Sequence, residues 1–369
     1  MANPPRALTA VDLFSGAGGL SLGLRRAGFV PVFACDNDPY SVATYGLNIG
    51  PHAVLCDARD LTVSRIRDTI ANAADRLTLV CGGPPCQGFS IQRRGELGDS
   101  RNELVVVFVR LAIALHPMLI LMENVAGLLG TRGRAQMRVV RTLLDAAGYD
   151  HLAELVDAAD YGVPQHRVRA VIVAWDRERI PHFSLPSPTH DAITWRTVAD
   201  AWDGLPSPYN RGEKQTLPNH ERVRVSRLNE QRISHVPPGG GRQDIPDALQ
   251  LPCHRGTGHR HLDVYGRMEW SRPAPTITAM FDNFTRGRFA HPVEDRSITN
   301  REGARIQGFP DDFVFIGPKK DVARQIGNAV PPPLAERFGQ SLREALYGRR
   351  SPTYFTVPQQ MTIDLLSAS

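Results

Sequence analysis

No stretch of the chain approaches the roughly 18 consecutive apolar residues that a membrane-spanning helix needs. The N-terminus, Met1 to Ala10, holds no apolar core of the kind an export signal carries. These absences argue against a membrane protein or an exported one, and a cytoplasmic location is expected. Cysteine is scarce: there are five, at positions 35, 56, 81, 86 and 253, with neither metal-ligand spacing nor a paired framework. No metal is expected, and any special cysteine should act as a thiol in a reducing compartment. Internal repeats and long low-complexity segments are also missing.

Charge is present but modest. Lys and Arg number 43 against 38 Asp and Glu, a surplus of five. Its location says more than its size: between Leu205 and Ala290 there are 13 basic and 8 acidic residues, so this stretch alone carries an equal surplus. Five histidines, at 220, 235, 254, 259 and 261, lie there too. A polyanion partner and a plain solvated surface both fit that balance.

At 369 residues the chain has room for two domains, or one large domain with an insertion. The first half alternates short apolar runs with helical stretches. Strands are expected at Leu8 to Phe14, Pro31 to Cys35, Ala53 to Cys56, Leu77 to Cys81, Met118 to Met122, His151 to Asp157 and Val168 to Trp175. Helices are expected at Leu20 to Ala27, Pro39 to Asn48, Glu103 to Leu115 and Arg134 to Ala147, the last stopped by Gly148. This alternation implies an α/β fold with a parallel sheet covered on both faces. Ligands should bind at the carboxyl ends of its strands. From about Pro181 to Asp321 the chain turns rich in Pro, Gly, Arg and His, as expected of a smaller, irregular second domain. A helical pattern returns at Pro333 to Tyr347.

Polar clusters fall at the expected strand ends. Asp12-Leu13-Phe14-Ser15-Gly16-Ala17-Gly18-Gly19 opens a helix, and its glycines permit a tight turn and close ligand approach. That signal is shared with dehydrogenases. Asp36 ends the second strand, where a carboxylate can accept ribose hydroxyls, and Asp57 ends the third, where one can meet an adenine amino group. In Gly82-Gly83-Pro84-Pro85-Cys86-Gln87-Gly88-Phe89-Ser90 two prolines stiffen the loop just before a cysteine, a setting that suits a nucleophile. Glu123 closes a fully apolar strand beside the low-dielectric sheet, in a position for proton exchange with a heterocycle. In Gln165-His166-Arg167-Val168-Arg169, strand alternation should turn both arginines to one face, suited to phosphate or carbonyl recognition.

In order and spacing these segments resemble the DNA (cytosine-5) methyltransferase family of bacterial, restriction-modification type. Arg301 to Pro310 and Gln325 to Val330 extend the match, which runs from about residue 8 to 346. The resemblance implies an S-adenosylmethionine-dependent, Rossmann-like catalytic domain of residues 1–187 plus 322–350. A small target-recognition domain of 188–321 would be inserted in it, and 351–369 would form a tail. It implies methyl transfer to C5 of cytosine in duplex DNA through a covalent adduct on a flipped-out base. By resemblance Cys86 is the nucleophile, Glu123 engages N3 and the exocyclic amine, Arg169 holds the base carbonyl, and Arg167 supports the site. Asp12, Leu13, Phe14, Ser15, Gly16, Gly18, Gly19, Asp36, Asp57 and Pro84 would line the methyl-donor pocket. Asn328 and Val330 would complete it, which requires the last helix to fold back onto the first sheet. A monomer is expected, with a restriction endonuclease as candidate partner.

Three positions depart from the pattern. Asn37 stands where some relatives place an aromatic ring, Asp36 stands where Glu is common, and Gly303 interrupts a helix at up to about 1 kcal/mol relative to Ala. Methylation of cytosine in tRNA, a non-catalytic DNA-binding relative and a nicotinamide-dependent dehydrogenase are the competing readings. The dehydrogenase leaves Cys86, Glu123 and the arginine pair without a role.

Overall fold

The computed structural model describes residues 7–70, 77–85, 103–252 and 262–348. Seven strands form one sheet in the order β3-β2-β1-β4-β5-β7-β6. They are β1 (Leu8–Leu13), β2 (Phe29–Asp36), β3 (Ala53–Leu55), β4 (Leu79–Gly82), β5 (Leu119–Val125), β6 (Tyr149–Asp157) and β7 (Val168–Asp176). The central strands β1, β4 and β5 are almost wholly buried. Continuous apolar runs such as Leu119 to Met122 follow from burial on both faces. The short strand β3 closes one edge.

Helices α1 (Gly19–Arg26), α2 (Pro39–Asn48), α3 (Val63–Ile70), α4 (Glu103–Leu115) and α5 (Arg134–Ala146) connect or flank the strands. Each has a local reason. Pro39 opens α2 at its first turn, where its missing N–H costs nothing. Gly148 lies just past α5 with φ +85°, the left-handed stop expected there. Helix α3 had no counterpart among the expected elements.

The sheet departs from the parallel expectation in one respect. β5 and β6 both pair antiparallel with β7. Only residues 158–167 join β6 to β7, too few for a helical crossover, so the chain turns straight back. Asp157 Oδ1 closes that corner by accepting from Ala159 N (3.2 Å) and Arg167 N (2.8 Å).

Beyond β7 the described residues hold helices but no named strand. The helices are α6 (Val198–Trp202), α7 (Arg227–Ile233), α8 (Asn300–Ile306), α9 (Lys319–Asn328) and α10 (Pro332–Leu346). A separate core gathers Val198, Trp202, Phe281, Phe284, Phe309 and Ile326, and it also takes in Ala17 and Leu22 from the first helix region. The expected boundary at 322 falls inside α9, whose Val322 and Ala323 belong to this second core. The return to the sheet comes at α10: Leu334, Phe338 and Leu342 pack with Leu20, Leu24 and Phe29. Gly303 also has a reason. A Cβ there would overlap the ring of fully buried Phe281, so the helix cost is offset by close packing. No described helix is long and apolar enough to cross a membrane. The tail 351–369 lies outside the described residues.

Helix α10 approaches α1 closely enough that a Cβ on Gly23 would overlap Pro332 O and crowd Ala335 Cβ. Gly23→Ala should therefore lower stability by about 1–3 kcal/mol through overpacking. Gly46 in α2 faces open space, and Gly46→Ala should leave stability unchanged or raise it by about 0.4–1 kcal/mol. Urea midpoints of the two variants check both signs.

Candidate active site

The sheet order reverses between β1 and β4, and the candidate residues gather at the carboxyl ends around that point. On one side lies the glycine loop. Leu13 is fully buried and Ser15 nearly so. Phe14 has φ +60°, unusual for a bulky residue and costing on the order of 1–3 kcal/mol. Gly16 (φ +52°) and Gly18 (φ +96°) take the remaining left-handed positions before α1 begins at Gly19. Ser15 N donates to Cys35 O (2.9 Å), which ties the loop to β2. Asp36, at the end of β2, accepts from Gly16 N through Oδ2 and from Asp38 N through Oδ1, both at 2.9 Å. Burial raises its pKa. Asp57, just beyond β3, is gripped by the Arg59 guanidinium at 2.6 and 3.0 Å, which holds its carboxyl below the usual range.

On the other side, β5 delivers Glu123 and the reversed β7 delivers Arg169. Val125 pairs with Arg169 and Glu123 with Val171, so the two charged side chains are diagonal neighbours on one face. Arg169 Nε lies 3.1 Å from Glu123 Oε1, with 14 % and 12 % of the side chains exposed. The contact is a close ion pair between two largely buried side chains. The next residue clamps the neighbouring loop: buried Asn124 donates through Nδ2 to Pro84 O (2.9 Å). A Cβ on Gly83 would lie 3.6 Å from Glu123 Oε2. The start of the Pro84-Pro85 loop therefore lies beside Glu123. Cys86 itself, with residues through 102, lies outside the described residues.

Arg167 does not join Glu123 as Arg169 does. β7 begins only at Val168, and the Arg167 guanidinium turns into a buried joint. Its Nη1 donates to Ile277 O (3.1 Å), and its Nη2 to Gly327 O (3.0 Å) and Ala329 O (3.1 Å). Gln165 accepts from Ile277 N (2.8 Å) and donates to Gln307, which donates in turn to Ala329 O (2.6 Å). Three backbone carbonyls thus take the Nη donors of Arg167, which does not share the face on which Arg169 meets Glu123. Of the C-terminal pair, Asn328 is exposed at the end of α9, and Val330 packs against the sheet-side core. A Cβ on Gly19 would overlap Val330 O, so this segment abuts the glycine loop.

Two contacts were not foreseen at the level of sequence. The partner of Asn124, a backbone carbonyl, leaves no mark in a sequence. Asp12 anchors a buried chain: Ser21 Oγ donates to Asp12 Oδ2 (2.6 Å), Ser21 meets Tyr45 OH (2.9 Å), and Tyr45 OH meets His52 Nε2 (3.0 Å). Asp12 supports the loop from beneath.

The family model for C-5 cytosine-specific DNA methylases matches residues 8–344. The chain is 36% identical over 341 residues to Type II methyltransferase M1.HphI of Haemophilus parahaemolyticus, covering 91% of this chain and 86% of that one. It is 34% identical over 345 residues to Type II methylase M.HgiDII of Herpetosiphon aurantiacus, covering 92% and 96%. Among solved structures, a DNA modification methyltransferase encoded within an E. coli prophage superposes with TM-score 0.71 at 28% identity, covering 92% of this chain and 100% of that one.

Burial pushes the Asp12 carboxyl from its ordinary 3.8 up to about 7. The folded chain thus keeps a proton that the unfolded chain has already lost, and stability falls as pH rises through that window. Asp12→Asn retains an acceptor for Ser21 without the titration. Its melting temperature relative to the parent protein should climb from pH 4 to 7 and level off above; parallel profiles would refute this.

Proposed function

The chain belongs to the C-5 cytosine-specific DNA methylases and transfers a methyl group from S-adenosylmethionine to C5 of cytosine in DNA, and on that premise we propose how its residues divide the work. The observation that carries the proposal is the Glu123–Arg169 pair on one sheet face, next to the loop that leads from Pro84 to Cys86.

The groups around the switch point fit the methyl donor. The open side of Gly16 leaves room beside the backbone, and Asp36 and Asp57 stand at adjacent strand ends. Asp36 would take the ribose hydroxyls and Asp57 the adenine amine. Asp12, Leu13, Phe14, Ser15, Gly16, Gly18 and Gly19 would form the floor and turn, Pro84 a wall, and Asn328 with Val330 the C-terminal side. When bound, S-adenosylmethionine supplies an electrophilic methyl group.

Cytosine C5 is too poor a nucleophile to take that group unaided. The Cys86 thiolate would add to C6, which moves electron density onto C5 and divides one hard step into easier ones. Glu123 would hold the N3 proton and the exocyclic amine; its place at the end of an apolar strand beside Arg169 suits that task. Arg169 would neutralise Glu123 and hold the base carbonyl. After transfer, loss of the C5 proton and departure of Cys86 would restore aromaticity. A base within a duplex cannot reach this cleft, so it would be flipped out at a cost of a few kcal/mol. The substrate would be one specific duplex sequence read by the second unit, with a restriction endonuclease of the same specificity as partner and the chain acting as a monomer in the bacterial cytoplasm.

Duplex DNA carrying 5-fluorocytosine at the target should become covalently attached to Cys86 in the presence of the methyl donor, and Cys86→Ser should give no adduct and no transfer. Glu123→Gln should slow adduct formation by about 10²–10⁴-fold. Labelled methyl appearing in tRNA instead of duplex DNA, or an adduct surviving in Cys86→Ser, would overturn the proposal.

A further inference from the structure

Arg167 reaches neither the open cleft nor solvent, yet it touches three separate parts of the chain. Its own backbone immediately precedes β7, two residues before Arg169. Its guanidinium bonds Ile277 O in the second unit, and Gly327 O and Ala329 O at the end of α9. Gln165 takes the N–H of the same Ile277, so both backbone groups of that residue are held from the β7 side. Gln307 takes the same Ala329 carbonyl. Beyond Ala329, the Val330 carbonyl presses on the glycine loop at Gly19. These contacts are contiguous from the glycine loop to the second unit, and every member is buried or half-buried.

We infer that Arg167 is a positioning residue that locks the methyl-donor pocket to the base-holding strand, so that the donor site and Arg169 form or fail together. The inference rests on the reading of the cleft given above. The chemistry of the side chain supports it. A guanidinium offers five donors in a rigid plane and can serve three carbonyls at fixed angles; a lysine ammonium cannot hold that geometry on its flexible stem. Its hydrogen-bond partners are peptide carbonyls, so what its burial secures by direct contact is the joint itself. If the joint slackens, the segment Gly327 to Val330 shifts against Gly19 on one side, and Arg169 shifts against Glu123 on the other.

The test separates the two sites. Donor affinity is measured by calorimetry with S-adenosylhomocysteine on the full chain. Base capture is measured as the rate of adduct formation with fluorocytosine duplex. Arg167→Lys should weaken donor binding about tenfold, the equivalent of one bond to a charged group, and slow adduct formation about 100-fold through misplacement. Arg169→Lys should slow adduct formation and bind the donor analogue as the parent protein does. If Arg167→Lys leaves donor affinity intact, the coupling role is wrong. Should that variant fail to fold, Gly327→Ala strikes the joint from its other side, since a Cβ there would overlap Thr278 O. It should show the same paired loss, and normal donor binding in it would equally overturn the inference. A parent protein that captures no fluorocytosine defeats the nucleophile reading instead, while the donor-affinity comparison still decides the joint.

Discussion

The short return between β6 and β7 is the constraint on which the site depends. Residues 158–167 leave no room for a crossover helix, and Asp157 stitches the corner shut. β7 must therefore run against its neighbours. Its first residues then lie at the same end of the sheet as the last residues of β5. Only that reversal sets Arg169 beside Glu123; a parallel β7 would carry its arginine to the opposite end. The same corner places Arg167 at the junction of the sheet with the second unit.

The second unit meets a different physical problem. Its described residues form only isolated β-bridges and no named strand, so fewer of its carbonyls have ladder partners, and an unpaired buried carbonyl is costly. Buried arginines fill the gap. Arg301, fully buried, donates to the carbonyls of Pro218, Pro310 and Phe313. Arg267 donates to those of Val236, Ile233, His291 and Glu294 and also reaches Asp295. Arg296 grips buried Glu302 with two bonds, and Glu302 in turn completes the capping box that starts α8. The chain has 40 arginines and 3 lysines, a ratio that suits this bonding, because a planar fork can serve several fixed acceptors. The basic surplus between Leu205 and Ala290 is thus a poor measure of a DNA-facing surface. Arg232, Arg242 and Arg267 are buried within the unit.

Much of the fold was legible for local reasons. Strands such as Leu119 to Met122 announce themselves as apolar runs, and Pro39 and Gly148 punctuate the helices. The candidate nucleophile, the acid and the glycine loop stand in motifs whose chemistry follows from residue type. The direction of β7 was not legible, since alternation of strands and helices carries no sign of pairing direction across a ten-residue link. Helix α3 escaped for want of a long apolar pattern. The common face expected for Arg167 and Arg169 was not met because alternation was extended back before the strand begins, and the carbonyls that Arg167 meets were not legible because backbone carbonyls are the same at every position.

By itself the sequence determined the α/β class, the family, the methyl-donor chemistry and the residues available to carry it, because each is written in side-chain identity and local order. The tertiary structure alone decided which arginine meets the acid, which one locks the joint, and where the two cores divide. Those outcomes depend on strand direction and on which carbonyls are left unpaired, and both are properties of the assembled backbone.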